Sequence, residues 1–221
     1  MRHQAAIEDN CPLIPGLVFP PSHHNTAAME PNIQDSFISL EHHFLIAMPG
    51  MMDPGFADAL VYICRHTPEG AMGLRVNRCL DITLRELFLQ LQLPCEGRLA
   101  DQLLFAGGPV RGEWGFVLHE PTESCWQSSL EIAPGVCLTA SRDILAALAT
   151  GEGAPERSLV ALGYSGWAAG QLEEELASNA WLTTTADLEL LFDAPLEART
   201  RLAAARIGVD LTRLSTGAGH A

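Results

Sequence analysis

Apolar residues gather in short runs that polar connections marked by Pro and Gly interrupt. Between His43 and Arg78 three such runs follow one another: Phe44 to Met48, Ala59 to Cys64 and Ala71 to Val76. Each has strand length. Leu60-Val61-Tyr62-Ile63-Cys64 does not alternate, the pattern of a strand buried on both faces. Pro49-Gly50, Asp53-Pro54-Gly55 and Thr67-Pro68-Glu69-Gly70 separate the runs with turn chemistry. This block is the expected centre of the sheet. Thr83 and Glu86 then form a capping box ahead of Leu84, Leu87, Phe88 and Leu91 at helical spacing, and Pro94 stops the helix. Leu103 to Ala106, Trp114 to His119, Ser129 to Ile132 and Val136 to Thr139 read as strands. Trp114–His119 and Ser129–Ile132 are expected as antiparallel neighbours. Ser141 heads a helix from Arg142 to Thr150, with Gly151 past its end. Ser158 to Tyr164 is a second buried strand, and Ser165-Gly166-Trp167 reads as a tight turn into an acidic helix, Ala168 to Ser178. Asp193 and Pro195 open the last helix, which Gly208 ends.

These elements predict an α/β fold of the mixed α+β kind. One compact domain over residues 36–221 holds a mixed, partly antiparallel sheet flanked by helices. Residues 1–35 are proline-rich and aperiodic; they are expected as a disordered extension, with Met29 as the biological start.

Composition narrows the chemistry. Acids outnumber bases 27 to 13, giving a formal net charge of −14. That balance opposes a surface built to neutralise phosphates, so direct contact with nucleic acid is not expected. Every base is Arg, which removes Schiff-base and P-loop lysine chemistry. Six Cys show no CxxC pair and no zinc spacing, so reduced thiols and no metal are expected. No apolar stretch approaches the ~20 residues of a spanning helix, so no membrane role is expected. No cofactor is implied.

Candidate chemistry is sparse. Gly163-Tyr164-Ser165-Gly166-Trp167 has the setting of a nucleophile elbow, with His220 downstream, but Trp167 stands where the motif needs Gly. A structural turn is the favoured reading. Gly107 and Gly108, ahead of Pro109, end a strand and could present amides to an anion, although turn chemistry explains them as well. Cys64 and His66 lie at i and i+2, on one face of a regular strand. With Asn77, Arg78 and His119 they could line a polar pocket, and Arg142 joins Gly107 and Gly108 as a further candidate. Met48, Met51, Met52 and Met72 suit adaptable packing or a partner-binding surface, with core the default reading, and Trp126, Trp167 and Trp181 likewise read as core.

FLIAMPGMMDPGF, VYICRH, GAMGLRVNR, FAGGPV, GFVLH, LTASRDIL, LVALGYSGWAAGQLEEEL, NAWL and AGHA occur in that order. Together they resemble the YqgE/AlgH family of bacterial proteins over residues 37–221. Cys79 and Trp114 depart from it, standing where the family usually has Pro and Arg. The resemblance implies a cytoplasmic protein and a transcriptional regulator, with a link to alginate production in one branch. Two readings follow: a regulatory or interaction module acting on expression indirectly through a protein or small-molecule partner, or an enzyme or metabolite-binding domain around the candidates above. The first is preferred, and a direct DNA-binding regulator ranks last.

Overall fold

The structure, a computed structural model, describes residues 37–51, 53 and 55–214. The expectations for residues 1–35, the start at Met29, Met52 and His220 lie outside them. Among the described residues ten strands form one sheet: β1 His43–Ala47, β2 Leu60–Thr67, β3 Gly70–Arg75, β4 Cys79–Thr83, β5 Leu103–Ala106, β6 Val110–His119, β7 Ser129–Ala133, β8 Val136–Thr139, β9 Ser158–Ala168 and β10 Trp181–Thr185. Short helices accompany them: α1 Leu84–Gln90, α2 Arg142–Thr150, α3 Gln171–Ala177 and α4 Arg199–Arg206. A π-turn at Glu189–Asp193 and a 3-10 turn at Leu196–Ala198 precede α4.

The strand order is β10-β1-β2-β3-β9-β6-β8-β7, with the β4–β5 hairpin joined to β9 through β5. These pairings are antiparallel except β5 with β9. The sheet is thus mixed but dominated by antiparallel pairs, and it curls into a half-barrel. Its hollow side holds Phe44, Leu60, Tyr62, Leu74, Phe116, Leu138 and Ala161, plugged by Leu190 and Leu191 of the π-turn and by Ala203 and Ala204 of α4. The outer side is covered in two places. Leu84, Phe88, Ile144 and Leu148 of α1 and α2 bury Leu104, Val117 and Val160. Leu172 of α3 caps Leu45, Val61, Ile63, Trp167 and Trp181. β2 therefore serves two cores, which is why its run does not alternate.

The capping box is present: Glu86 N–H donates to Thr83 Oγ1 at 3.2 Å and Thr83 N–H to Glu86 Oε2 at 2.7 Å. Gly151 closes α2 in the left-handed region at φ 85°. Two expectations fail. Trp114–His119 and Ser129–Ile132 are not neighbours, because β8 lies between them and pairs with both β6 and β7. Nor is there a tight turn at Ser165. β9 runs on to Ala168, pairing with β6 and β5 over its first half and with β3 over Ser165–Ala168. The bend sits at Gly163, at φ 71°, so one strand joins the two halves of the sheet. The acidic helix consequently starts late, at Gln171.

Candidate functional site

The eight residues singled out as site candidates do not meet. β2 carries a bulge: Ile63 pairs with Gly73 and Arg65 with Met72, leaving Cys64 as the extra residue. A bulge breaks the two-residue parity of a strand, so Cys64 and His66 do not share a face. Cys64 points into the hollow core beside Tyr62 and Leu74, where burial pushes its thiol far above the ordinary range. His66 turns to the outer side. Its Nδ1 accepts from Leu40 N–H at 3.0 Å, which puts the proton on Nε2, and Nε2 lies 2.9 Å from Glu173 Oε1 on α3. His119 is buried on β6, with Nδ1–H donating to the Glu120 carbonyl at 2.7 Å and Nε2 lying 2.8 Å from Thr139 Oγ1. Burial lowers its pKa.

Gly107 and Gly108 lie where the chain after β5 presses on β9. A Cβ on Gly107 would fall 2.3 Å from the Gly163 carbonyl oxygen, and one on Gly108 2.2 Å from the Tyr164 carbonyl carbon. The Gly107 amide donates to the Leu162 carbonyl at 2.8 Å and so is not turned to an anion. Ser165 is fully buried and its hydroxyl donates to the Gly107 carbonyl at 3.3 Å. Among the described residues no base stands at its oxygen. Arg142 is exposed at the start of α2 and edges a narrow apolar cavity of about 60 Å³ between α1, α2 and the sheet. Arg78 is exposed beyond β3.

Asn77 leads elsewhere. Its Oδ1 accepts from Leu60 N–H at 3.0 Å and Arg75 Nε at 3.1 Å, while Nδ2 donates to the Asp58 carbonyl at 2.7 Å and Thr200 Oγ1 at 2.8 Å. Arg75, 7% exposed, donates from its two terminal nitrogens to the Gly55 and Ala57 carbonyls, both at 2.9 Å. Together these side chains clamp the loop between β1 and β2 from behind. In front of that loop opens a cleft of about 420 Å³, lined by Met48, Met51, Asp53, Phe56, Glu175 and Trp181, with Ser178 and Asn179 on its rim.

The cleft wall is fastened through Glu175. Its Oε2 accepts the indole N–H of Trp167 at 2.9 Å and of Trp181 at 2.7 Å, and its Oε1 accepts from Gln171 Nε2 at 2.9 Å. Three neutral donors hold the carboxylate in place, and among the described residues no cation does. Phe56 completes the aromatic floor, its ring 6.0 Å from Trp167 at 27° and 5.5 Å from Trp181 at 78°. Asp53 Oδ1 accepts the Gly55 amide at 2.7 Å and so shapes the loop. The arrangement offers apolar, sulfur-rich surface and two carboxylates, which suits binding; its described residues hold no paired nucleophile and base.

Sequence reasoning took core as the default for Met48 and Met51, with a partner surface as the alternative, and treated Trp167 and Trp181 as core. Phe56, Glu175 and Arg75 were missed. An indole N–H that is buried needs an acceptor, so two core tryptophans near an acidic helix were the available signal.

A family model described as AlgH-like matches residues 44–212. The chain belongs to the YqgE/AlgH family. The UPF0301 protein of Saccharophagus degradans is 51% identical over 191 residues, covering 86% of this chain and 93% of that protein. A second UPF0301 protein, from Thioalkalivibrio sulfidiphilus, is 51% identical over 81% of this chain and 96% of its own. The solution structure of the AlgH protein from Pseudomonas aeruginosa matches with a TM-score of 0.67 at 45% identity, over 87% of this chain and all of that one. A Corynebacterium diphtheriae protein at 19% identity and TM-score 0.62 shares the fold. Three of the stretches that carry the YqgE/AlgH resemblance meet in the cleft. FLIAMPGMMDPGF supplies Met48, Met51, Asp53 and Phe56, the LEEEL stretch supplies Glu175, and NAWL supplies Asn179 to Trp181.

Proposed function

We propose that the protein is a cytoplasmic regulatory module that recognises a partner through the cleft between the Met48–Phe56 loop, α3 and the start of β10, and so affects gene expression indirectly. The observation that carries this reading is the convergence of three separate family stretches on one cleft of about 420 Å³. Methionine and aromatic side chains there suit contact with a partner. An enzyme or metabolite site around Cys64, His66, Asn77 and Arg78 is less favoured, since the bulge separates the first two and Asn77 is spent on the loop. Direct DNA binding is least favoured, for a protein of net charge −14.

The test is genetic. Ser178 is exposed on the cleft rim, so Ser178→Trp plugs the opening from outside the core. Placed in the chromosomal copy, this variant is expected to reproduce the expression profile of a deletion strain while the protein persists at its normal level. A wild-type profile would overturn the reading. Recovery of the native protein with the membrane fraction would overturn its cytoplasmic part.

A further inference from the structure

We propose that the cleft reads an arginine side chain of a partner protein, its guanidinium balanced by Asp53 and Glu175 and covered by Phe56, Trp181, Met48 and Met51. This deepens the reading above and rests on it.

Charge complementarity is the first argument. Among the described residues both ionisable groups lining the cleft, Asp53 and Glu175, are acids, and no basic side chain lines it. The cation bonded to the loop, Arg75, stands behind it with its terminal nitrogens spent on the Gly55 and Ala57 carbonyls. The half-buried Glu175 side chain bonds to neutral donors, and no cation among the described residues pairs with it, which leaves a place that an incoming cation would take. Lining chemistry is the second. A guanidinium is planar, weakly hydrated and stacks on aromatic faces, whereas an ammonium holds its water more tightly. Phe56 and Trp181 with two thioethers suit the former. Shape is the third. The volume lies within the ~300–1,000 Å³ range of built binding sites, and the rim is formed by the exposed Asp53, Ser178 and Asn179. A side chain can therefore enter while its own backbone stays outside.

The experiment titrates the full chain, labelled with nitrogen-15, with acetyl-Gly-Arg-Gly-amide and with its neutral citrulline counterpart. The indole N–H signals of Trp167 and Trp181 report on the cleft. The arginine peptide is expected to move both saturably, and the citrulline peptide to bind roughly fivefold more weakly, the scale of one partly solvated charge pair. Asp53→Asn should weaken the arginine peptide by roughly the same factor, because Asn keeps the Oδ1 acceptor for the Gly55 amide and removes only the charge. Equal binding of the two peptides would overturn the cation while leaving the cleft as the recognition site. Tetramethylammonium binding as tightly as the arginine peptide would reassign the cleft to a small organic cation and overturn the partner side chain. Dimerisation lost on Asp53→Asn would assign the cleft to a second copy of this chain, which overturns the separate partner protein as well. Silent indole signals with both peptides, alongside an active Ser178→Trp phenotype, would overturn the arginine proposal alone. A silent Ser178→Trp strain would remove the reading beneath it.

Discussion

Two loops marked by Gly and Pro look alike in the sequence and do opposite work in the fold. After β5, Gly107-Gly108-Pro109 lies against β9 so closely that a methyl group on Gly108 would sit 2.2 Å from a backbone carbon. After β1, the loop from Met48 to Asp58 is also glycine-bearing, yet a methyl group on Gly55 would meet only the Asp53 side chain, at 3.0 Å. The first pair of glycines removes side chains so that two stretches of backbone can touch. The second loop is held at arm's length by the Arg75 fork and Asn77, and the space in front of it stays open. Glycine alone does not mark a ligand site. What separates the two is whether backbone or water lies opposite.

Substitutions can break that contrast. Gly108→Ala should have the largest effect, about 3 kcal/mol of stability or a fall of roughly 6–12 °C in Tm, because backbone must move. A calorimetric Tm within about 2 °C of wild type would show the crossing to be looser than drawn. Glu175→Ala comes next, at about 2 kcal/mol, since one carboxylate holds two indoles. Denaturant unfolding measures the loss, and the two indole N–H resonances should move together. Separate behaviour would mean that the carboxylate does not join them.

His119 tests the closed side by pH. Burial lowers its folded pKa below the unfolded value of about 6.5. The unfolded chain therefore takes up a proton that the native state refuses. Stability from this group is full above pH 6.5 and is lost as pH falls through 6.5 toward the lowered value, by at most about 1.4 kcal/mol per pH unit. His42 is lowered by burial too and adds in the same direction. Melts at about pH 7.5 and 5.5, either side of the unfolded value, should show the loss, and His119→Gln should shrink it; an unchanged difference would place the ring in water. Gly55→Ala is the smallest change expected, about 1 kcal/mol or less, because only a carboxylate end must yield. A cost matching that of Gly108→Ala would erase the contrast.

Most strands and the capped helices were legible because local signals decide them. Thr83 with Glu86 for α1 and Gly151 for α2 fix helix ends within a few residues, although the Ser141 hydroxyl makes no cap bond and donates to Asp143 Oδ1 instead. The solid run Leu60–Cys64 announced a strand with two buried faces. What failed depends on partners far along the chain. Ser165-Gly166 looked like a turn, but pairing with β3 carries β9 straight through it. The bulge at Cys64 has no mark in its own sequence, and it undoes the parity on which the Cys64–His66 pair was built. The cleft was half visible. For Met48 and Met51 a partner surface was the alternative to core, whereas nothing local set Glu175 apart in the acidic helix until two indoles, at 167 and 181, were found to donate to it.

The strand that joins the two halves of the sheet, β9, is also nearly the last to be made. As the chain leaves the ribosome, β1-β2-β3 and β6-β8-β7 can each form their own hairpins. The flanks of β3 and β6 that receive β9 stay unpaired until residues 158–168 emerge. The first of these apolar half-sheets is complete at Arg75, so its edge stays open until Ser165 to Ala168 have been synthesised. That interval is an invitation to aggregation which chaperones exist to cover. A nascent chain stalled before Ser158 should be bound by holdases far more strongly than one stalled after Ala168.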